Sequence, residues 1–324
     1  MRIGDFFRVE RPIIQAPIGS LASVELVSAV SNAGGLGSLA LTWTDPEAAA
    51  ARVAAVKART QAPFAANFVL AFEPRALRAA LENGVPAVTF SWGLPGKLVE
   101  LVHRFGAAVG VQVGTVDGAR RALAEGCDFL ICQGIEAGGH VQSSIPLREL
   151  LRAVIPEVRN VPVVAAGGLA DGADVAEAIA LGAGAAMLGT RFVASTESYA
   201  HPAYKSLLLS SQAHDTVLTS CFDGEWPLAL QRVLRNPTLN EWEASGCKPG
   251  GQRPGELDVV VRQKSGDPIH RYDDTPPDAG MEGDVLSCCL YSGMGVSKIS
   301  EIKPAATLVQ ELWQGAVAGK PKRI

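Results

Sequence analysis

At 324 residues the chain exceeds an average single domain, but one (β/α)8 barrel with a small addition fits it. Apolar residues make up 48% and charged residues 19%, enough for a large core, and the net charge of −4 argues against a nucleic-acid partner, which needs a basic face. No run approaches the roughly 18 apolar residues of a membrane span, and the start Met1-Arg2-Ile3-Gly4-Asp5 lacks the apolar stretch of a signal peptide. Cys127, Cys132, Cys221, Cys247, Cys288 and Cys289 form no CxxC pair. The expectation is therefore a cytoplasmic protein with reduced thiols and no metal site.

From Pro12 to Arg191 a short apolar run alternates with an Ala-rich amphipathic segment. The predicted strands span 13–18, 36–41, 64–70, 87–92, 108–113, 129–133, 161–166 and 185–189, with helices such as 24–32, 46–57, 75–83 and 116–125 between them. Runs buried on both faces suit a parallel sheet, and eight such units predict a closed TIM barrel rather than a doubly wound sheet. From about Pro202 to Leu234 the chain reads as helical. Between Asn236 and Asp284 it is rich in Gly, Pro and charge, which predicts a small loop-rich, lid-like addition. An apolar helical segment returns at 304–313, placed to close the barrel wall, and the tail 320–324 reads as frayed. The expected division is a barrel over 1–205, a lid region over 206–285 and a returning segment over 286–324.

Barrel chemistry sits at the C-terminal ends of the strands, and the loops after strands 7 and 8 are the usual phosphate site. Strand 7 ends in Ala165-Ala166-Gly167-Gly168-Leu169-Ala170-Asp171-Gly172, and strand 8 in Met187-Leu188-Gly189-Thr190-Arg191-Phe192. Paired glycines let backbone N–H groups approach a phosphate at the positive end of a following helix. Strand 6 leads into Gln133-Gly134-Ile135-Glu136-Ala137-Gly138-Gly139-His140, where an imidazole over the mouth suits proton transfer near neutral pH. The other histidines invite blander readings. His103 falls in a helix, His214 and His270 lie beyond the barrel, and His201 starts a helix close enough to support the phosphate site. Asn67 and Gln133 are amides in apolar runs and need specific partners, in a ligand or in a neighbouring loop. In Gln15-Ala16-Pro17-Ile18-Gly19-Ser20, Ala16 and Gly19 leave room for a flat ring, and Trp92 offers an aromatic wall or core packing.

These motifs, in this order, resemble the nitronate monooxygenase (2-nitropropane dioxygenase) family, through Gln15-Ala16-Pro17-Ile18, Ala33-Gly34-Gly35-Leu36-Gly37, Glu136-Ala137-Gly138-Gly139-His140, Ala165 to Gly172 and Gly189-Thr190-Arg191-Phe192. The resemblance is close over about 10–205 and looser at Tyr291-Ser292-Gly293-Met294-Gly295. Flavin-dependent enoyl-acyl-carrier-protein reductases and NADH:quinone reductases share nearly all of it. The resemblance implies FMN as cofactor, with Gly167, Gly168, Gly189 and Thr190 at its phosphate and Asn67 and Gln133 at the ring or ribityl chain. Ala16, Pro17, Ile18, Gly138, Gly139, Ala166 and Leu188 complete the implied cofactor site, and His140 is the implied catalytic acid/base. The chain departs from the family at Ile18, where Met is frequent, and at Val141-Gln142-Ser143-Ser144, which lacks a Gly shortly after the histidine.

The implied reaction is oxidation of a nitronate, or of a nitroalkane after loss of its α-proton, to a carbonyl compound and nitrite with dioxygen. The alternative is a reductase in which NAD(P)H reduces FMN and an enoyl thioester or quinone is reduced in turn. A non-enzymatic barrel that senses a phosphorylated ligand is the third possibility, and the apolar barrel helices leave a homodimer open.

Overall fold

The computed structural model describes Phe7, residues 9–158, 161–224, Trp226 and residues 229–318. The expectations for the extreme N-terminus and for the tail 320–324 lie outside the described residues.

Eight parallel strands form the frame: β1 (Ile13–Gln15), β2 (Gly37–Ala40), β3 (Phe64–Val69), β4 (Ala87–Ser91), β5 (Ala108–Val113), β6 (Phe129–Gln133), β7 (Val163–Ala166) and β8 (Ala185–Leu188). Their order is β1-β8-β7-β6-β5-β4-β3-β2. A parallel bridge between Ile14 and Leu36 joins the two ends, so the predicted TIM barrel closes. Gln15 supports that seam with its side chain. Its fully buried amide accepts from Ser38 N (2.9 Å) and donates to Ser38 O (3.1 Å), extending the β1–β2 ladder and satisfying itself.

The helices between the strands are α1 (Val24–Asn32), α2 (Pro46–Arg59), α3 (Leu77–Glu82), α4 (Leu98–Arg104), α5 (Val116–Ala124), α6 (Leu147–Val154) and α7 (Gly172–Ala180). Side-chain caps start several of them: Ser23, Asp45 and Thr115 accept from the backbone of α1, α2 and α5. Strand residues facing out join the helices in one apolar layer, including Val27, Leu39, Phe68, Phe90 and Leu150. Those facing in, such as Ile14, Ala65, Phe129, Val164 and Met187, fill the barrel with Phe7. Gly110 makes room for Phe129, because a Cβ there would stand 2.2 Å from that ring.

The stretch predicted as helical over 202–234 is corrected by the structure. Among its described residues only α8 (Pro202–Ser210) is an α-helix, and β9 (Thr216–Thr219) and β10 (Gln231–Leu234) follow as an antiparallel pair. The leucines at 207–209 carry a helical signal, but Thr216-Val217-Leu218-Thr219 alternates and has β-branched residues that pack better on a sheet. The two-residue strand Gly139–His140 is the third member of this small sheet, pairing with β10.

Beyond it come α9 (Pro237–Ala244), β11 (Val259–Arg262), β12 (Pro268–His270) and β13 (Glu282–Gly283). This Gly- and Pro-rich stretch packs in two small apolar clusters, one joining Leu239 and Tyr272 to Phe222 and Val233 and one around Val261 and Ile269. Finally α10 (Ala305–Ala318) packs Leu308, Val309 and Leu312 against Leu26 and Val30 of α1 and Val175 of α7, completing the outer ring.

Candidate active site

The C-terminal ends of β6, β7 and β8 bring four backbone segments together. Gly167 and Gly168 follow β7 with φ of +121° and +69°, a region that favours glycine. Asp171 then caps α7, accepting from Asp174 N, while Asp174 accepts from Asp171 N in a reciprocal box. Space at this turn is minimal: a Cβ on Gly168 would lie 2.8 Å from Glu136 Cβ. Thr190, after β8, accepts from Gly293 N through its hydroxyl (2.9 Å). A Cβ on Gly295 would reach within 2.4 Å of Gly168 O, and one on Gly138 within 2.4 Å of Gly293 N. The predicted glycines 138, 167, 168 and 189 thus share one cradle, to which the structure adds Gly293 and Gly295. Ala16 and Ile18 border the same place, each under 4 Å from where a Gly189 Cβ would stand. Ala16 N also donates to Leu188 O, so the loop after β1 is tied to the end of β8 directly before Pro17.

Both predicted amides are buried and bonded within the protein. Asn67 on β3 donates to the carbonyl (3.1 Å) and hydroxyl (3.0 Å) of Thr89 on β4. Gln133, at the end of β6, donates to His140 O (3.1 Å) and accepts from Gln142 N (2.9 Å), clamping the loop that carries the histidine. The Asn67 side-chain oxygen can accept from a further partner, and Gln133 keeps a second lone pair and a second amide proton. Ala166 closes β7 directly before the glycine turn.

His140 sits in an aromatic enclosure. Trp226 stacks on it (centroids 4.3 Å apart, planes 29°), Trp92 meets it edge-on (6.1 Å, 90°) and Tyr291 lies 5.7 Å away. Trp92 also packs on Trp226 at 4.7 Å, and Phe72 and the exposed Trp43 continue the aromatic row outward. Trp92 has φ +58°, a conformation costly for a bulky residue and found where surrounding structure enforces it. Burial among these rings pushes the His140 imidazole down to about 4, so it is neutral near pH 7. Its Nε2 is buried and has no hydrogen-bond partner.

The sequence reading missed what holds this histidine in place. Arg232 of β10 is buried and donates to Ile135 O (3.0 Å) and to the Thr216 hydroxyl (3.3 Å), while its own carbonyl accepts from Ser292 N. It therefore ties the histidine loop to the small sheet and to the 291–295 turn. Trp226 was missed as well, and the only sequence signal was a lone tryptophan in a segment with Gly and Pro close by. The other histidines stand apart. His103 bonds Asp128 (2.9 Å), His214 and His270 lie beside Asp215 and Asp273, and His201 caps α8 by accepting from Ala203 N. A cavity of about 210 Å³ borders Gly167, Gly168, α6 and α7, but neither His140 nor the tryptophans line it. All six cysteines are free thiols. Among the described residues no helix is long and apolar enough to cross a membrane, and no His/Cys/Asp/Glu cluster could hold a metal.

Comparison with known proteins bears on the family and the fold. The family model described as nitronate monooxygenase matches residues 1–79 and 69–315. A nitronate monooxygenase of Pseudomonas aeruginosa is 33% identical over 356 residues, covering 94% of this chain and 97% of the relative. An octahydroindene-carboxyl-CoA dehydrogenase of Mycobacterium tuberculosis is 35% identical over 248 residues, covering 75% and 68%. Among solved structures, FabK from Thermotoga maritima superposes with a TM-score of 0.85 at 30% identity, over 98% of this chain and 96% of that one.

Proposed function

The chain belongs to the nitronate monooxygenase family and is an oxidoreductase, and from that premise we propose that it uses FMN to oxidise nitronates, and nitroalkanes through their nitronates, to carbonyl compounds and nitrite with dioxygen. Family membership sets aside the non-enzymatic sensor. The observation that carries the reading is His140, a neutral, buried imidazole in an indole-walled mouth next to a cradle of glycine turns.

The residues fit a flavin mononucleotide. Gly167, Gly168, Gly189 and Thr190 would hold its phosphate, with the 293–295 turn closing the cradle from the other side. Ala16, Pro17, Ile18, Ala166, Leu188, Gly138 and Gly139 would border the rest, and Asn67 and Gln133 have hydrogen-bonding capacity left for the ring or ribityl chain. Ile18 supplies apolar bulk there without a thioether. When bound, the flavin supplies a two-electron acceptor that passes its electrons to dioxygen.

The chain's own part is proton handling and shielding. Neutral His140 takes the α-proton of a nitroalkane at a ring nitrogen, and the imidazolium so formed is offset by the negative nitronate oxygens. When the nitronate arrives preformed, no proton transfer to His140 is needed. Trp92 and Trp226 keep water from the imidazole and face the alkyl part of the substrate with flat apolar walls. Five buried thiols support a reducing, cytoplasmic setting for this chemistry.

A second reading, NAD(P)H-dependent reduction of an enoyl thioester or quinone through FMN, draws on the relative named for a carboxyl-CoA substrate. Anaerobic mixing separates the two. The purified, FMN-loaded protein should bleach rapidly with an alkyl nitronate and slowly or not at all with NADH. Fast bleaching by NADH with none by nitronate would overturn the first reading in favour of the second.

A further inference from the structure

His140 and Gln231 are directly opposed across the antiparallel pairing of Gly139–His140 with β10. Residues opposed in this way carry their side chains on the same face of the sheet. On that face two buried polar atoms have no hydrogen-bond partner, Nε2 of His140 and Oε1 of Gln231. Gln231 is fully buried, and its Nε2 donates to Phe222 O, which orients the amide and directs Oε1 away from that carbonyl. An amide oxygen can only accept, and a neutral imidazole has one proton to give.

We propose that Gln231 is a positioning residue for His140: its Oε1 accepts the Nε2 proton, so the ring is held as the Nε2–H tautomer with the Nδ1 lone pair free to receive the substrate's proton. Each orphaned atom thereby gains its complementary partner. The backbones are already joined, Val141 N donating to Leu230 O at 2.9 Å, which keeps the two side chains beside each other. Trp226 on the ring's face and Trp92 across it limit tilting, so the in-plane hydrogen bond decides which nitrogen is protonated.

The charged and titratable groups on the surrounding elements are engaged elsewhere. The Glu136 carboxylate accepts from Leu147 N, Arg232 binds Ile135 O and Thr216, Asp223 pairs with Arg253, and the Tyr291 hydroxyl donates to Asp274 O. The effect of Gln231 should therefore be local to the imidazole.

The inference rests on His140 as the acid–base group, but its test does not need turnover. Protein as purified, labelled with 15N-histidine, is read by NMR near pH 7, with His140 assigned by its loss in His140→Gln. The wild type should show a protonated Nε2 and a bare Nδ1. Gln231→Leu should lose that preference and lower kcat/KM for a neutral nitroalkane about tenfold, with less effect on a preformed nitronate. Gln231→Glu, which restores an acceptor and adds charge, should keep the Nε2–H form and move the acidic limb of the pH profile upward by about one unit. An unchanged tautomer in Gln231→Leu, or weaker FMN binding with the tautomer intact, would assign Gln231 to another role. Should the leucine variant not fold, an unmoved pH profile in Gln231→Glu refutes the proposal equally. Failure on nitroalkanes with the tautomer result upheld would fault the reaction and leave the pair standing.

Discussion

Replacing His140 with glutamine tests the buried neutral imidazole through stability alone. In the folded chain the ring's pKa is pushed down to about 4 by burial, against 6.5 for the free side chain. The unfolded state thus binds the extra proton more tightly, and stability is complete above about pH 6.5 and lost as pH falls toward 4. A gap of about 2.5 units is worth about 3.4 kcal/mol in full, and about 2 kcal/mol is already lost at pH 5. Glutamine does not titrate, so His140→Gln should lack this loss. Every other side chain is common to the two proteins and cancels in the comparison. Urea unfolding followed by far-UV circular dichroism at pH 7 and pH 5 supplies the numbers. The wild type should lose about 2 kcal/mol more than the variant across that interval. Equal losses would mean that the imidazole is hydrated in the folded state, and that the aromatic enclosure does not act as described.

Two further substitutions address the cradle and the wall. Gly168→Ala places a methyl 2.8 Å from Glu136 Cβ at φ +69°, so it should lower stability by about 1–2 kcal/mol and weaken FMN binding about tenfold, read from quenching of flavin fluorescence; unchanged affinity would move the phosphate elsewhere. Trp226→Ala removes the ring stacked on His140, so it should raise the histidine's pKa as water enters and improve kcat/KM for long-chain nitronates relative to short ones. An unaltered chain-length profile would show that the indole does not bound the substrate.

Where structure is dictated locally, the sequence reading and the structure coincide. β3 was expected over 64–70 and spans Phe64–Val69 with every residue buried, a double-sided burial that an apolar run interrupted only by Asn67 announces. α1 begins where Ser23 can accept from Leu26 N, a signal four residues long. The stretch over 202–234 misled because β10 owes its conformation to partners distant in sequence, Thr216–Thr219 on one side and Gly139–His140 on the other. The same distinction divides the site. The glycine turns and His140 stand out in the sequence as motifs, since backbone approach and proton transfer, the roles proposed for them, call for those residue types. Trp226, Gln231 and Arg232 could not, because an indole, an amide and a guanidinium gain a role here only from what the fold sets beside them.

That division has a consequence for substrate choice. The barrel provides a rigid backbone cradle, but the protonation state of His140 depends on Trp226 and β10, which lie outside the barrel strands. A mouth opened wide enough for a bulky carrier-linked acyl group would also admit water to the imidazole. Hydration would return its pKa toward 6.5 and let it serve as an acid near neutral pH, as reduction of an enoyl group requires. With the indoles packed as they are, the ring is neutral near pH 7, the state that the proposed proton abstraction from a small, acidic carbon requires. Pocket width and base strength are therefore coupled through the same tryptophan. A variant selected for larger substrates at position 226 should, on this argument, shift its pH optimum with its specificity.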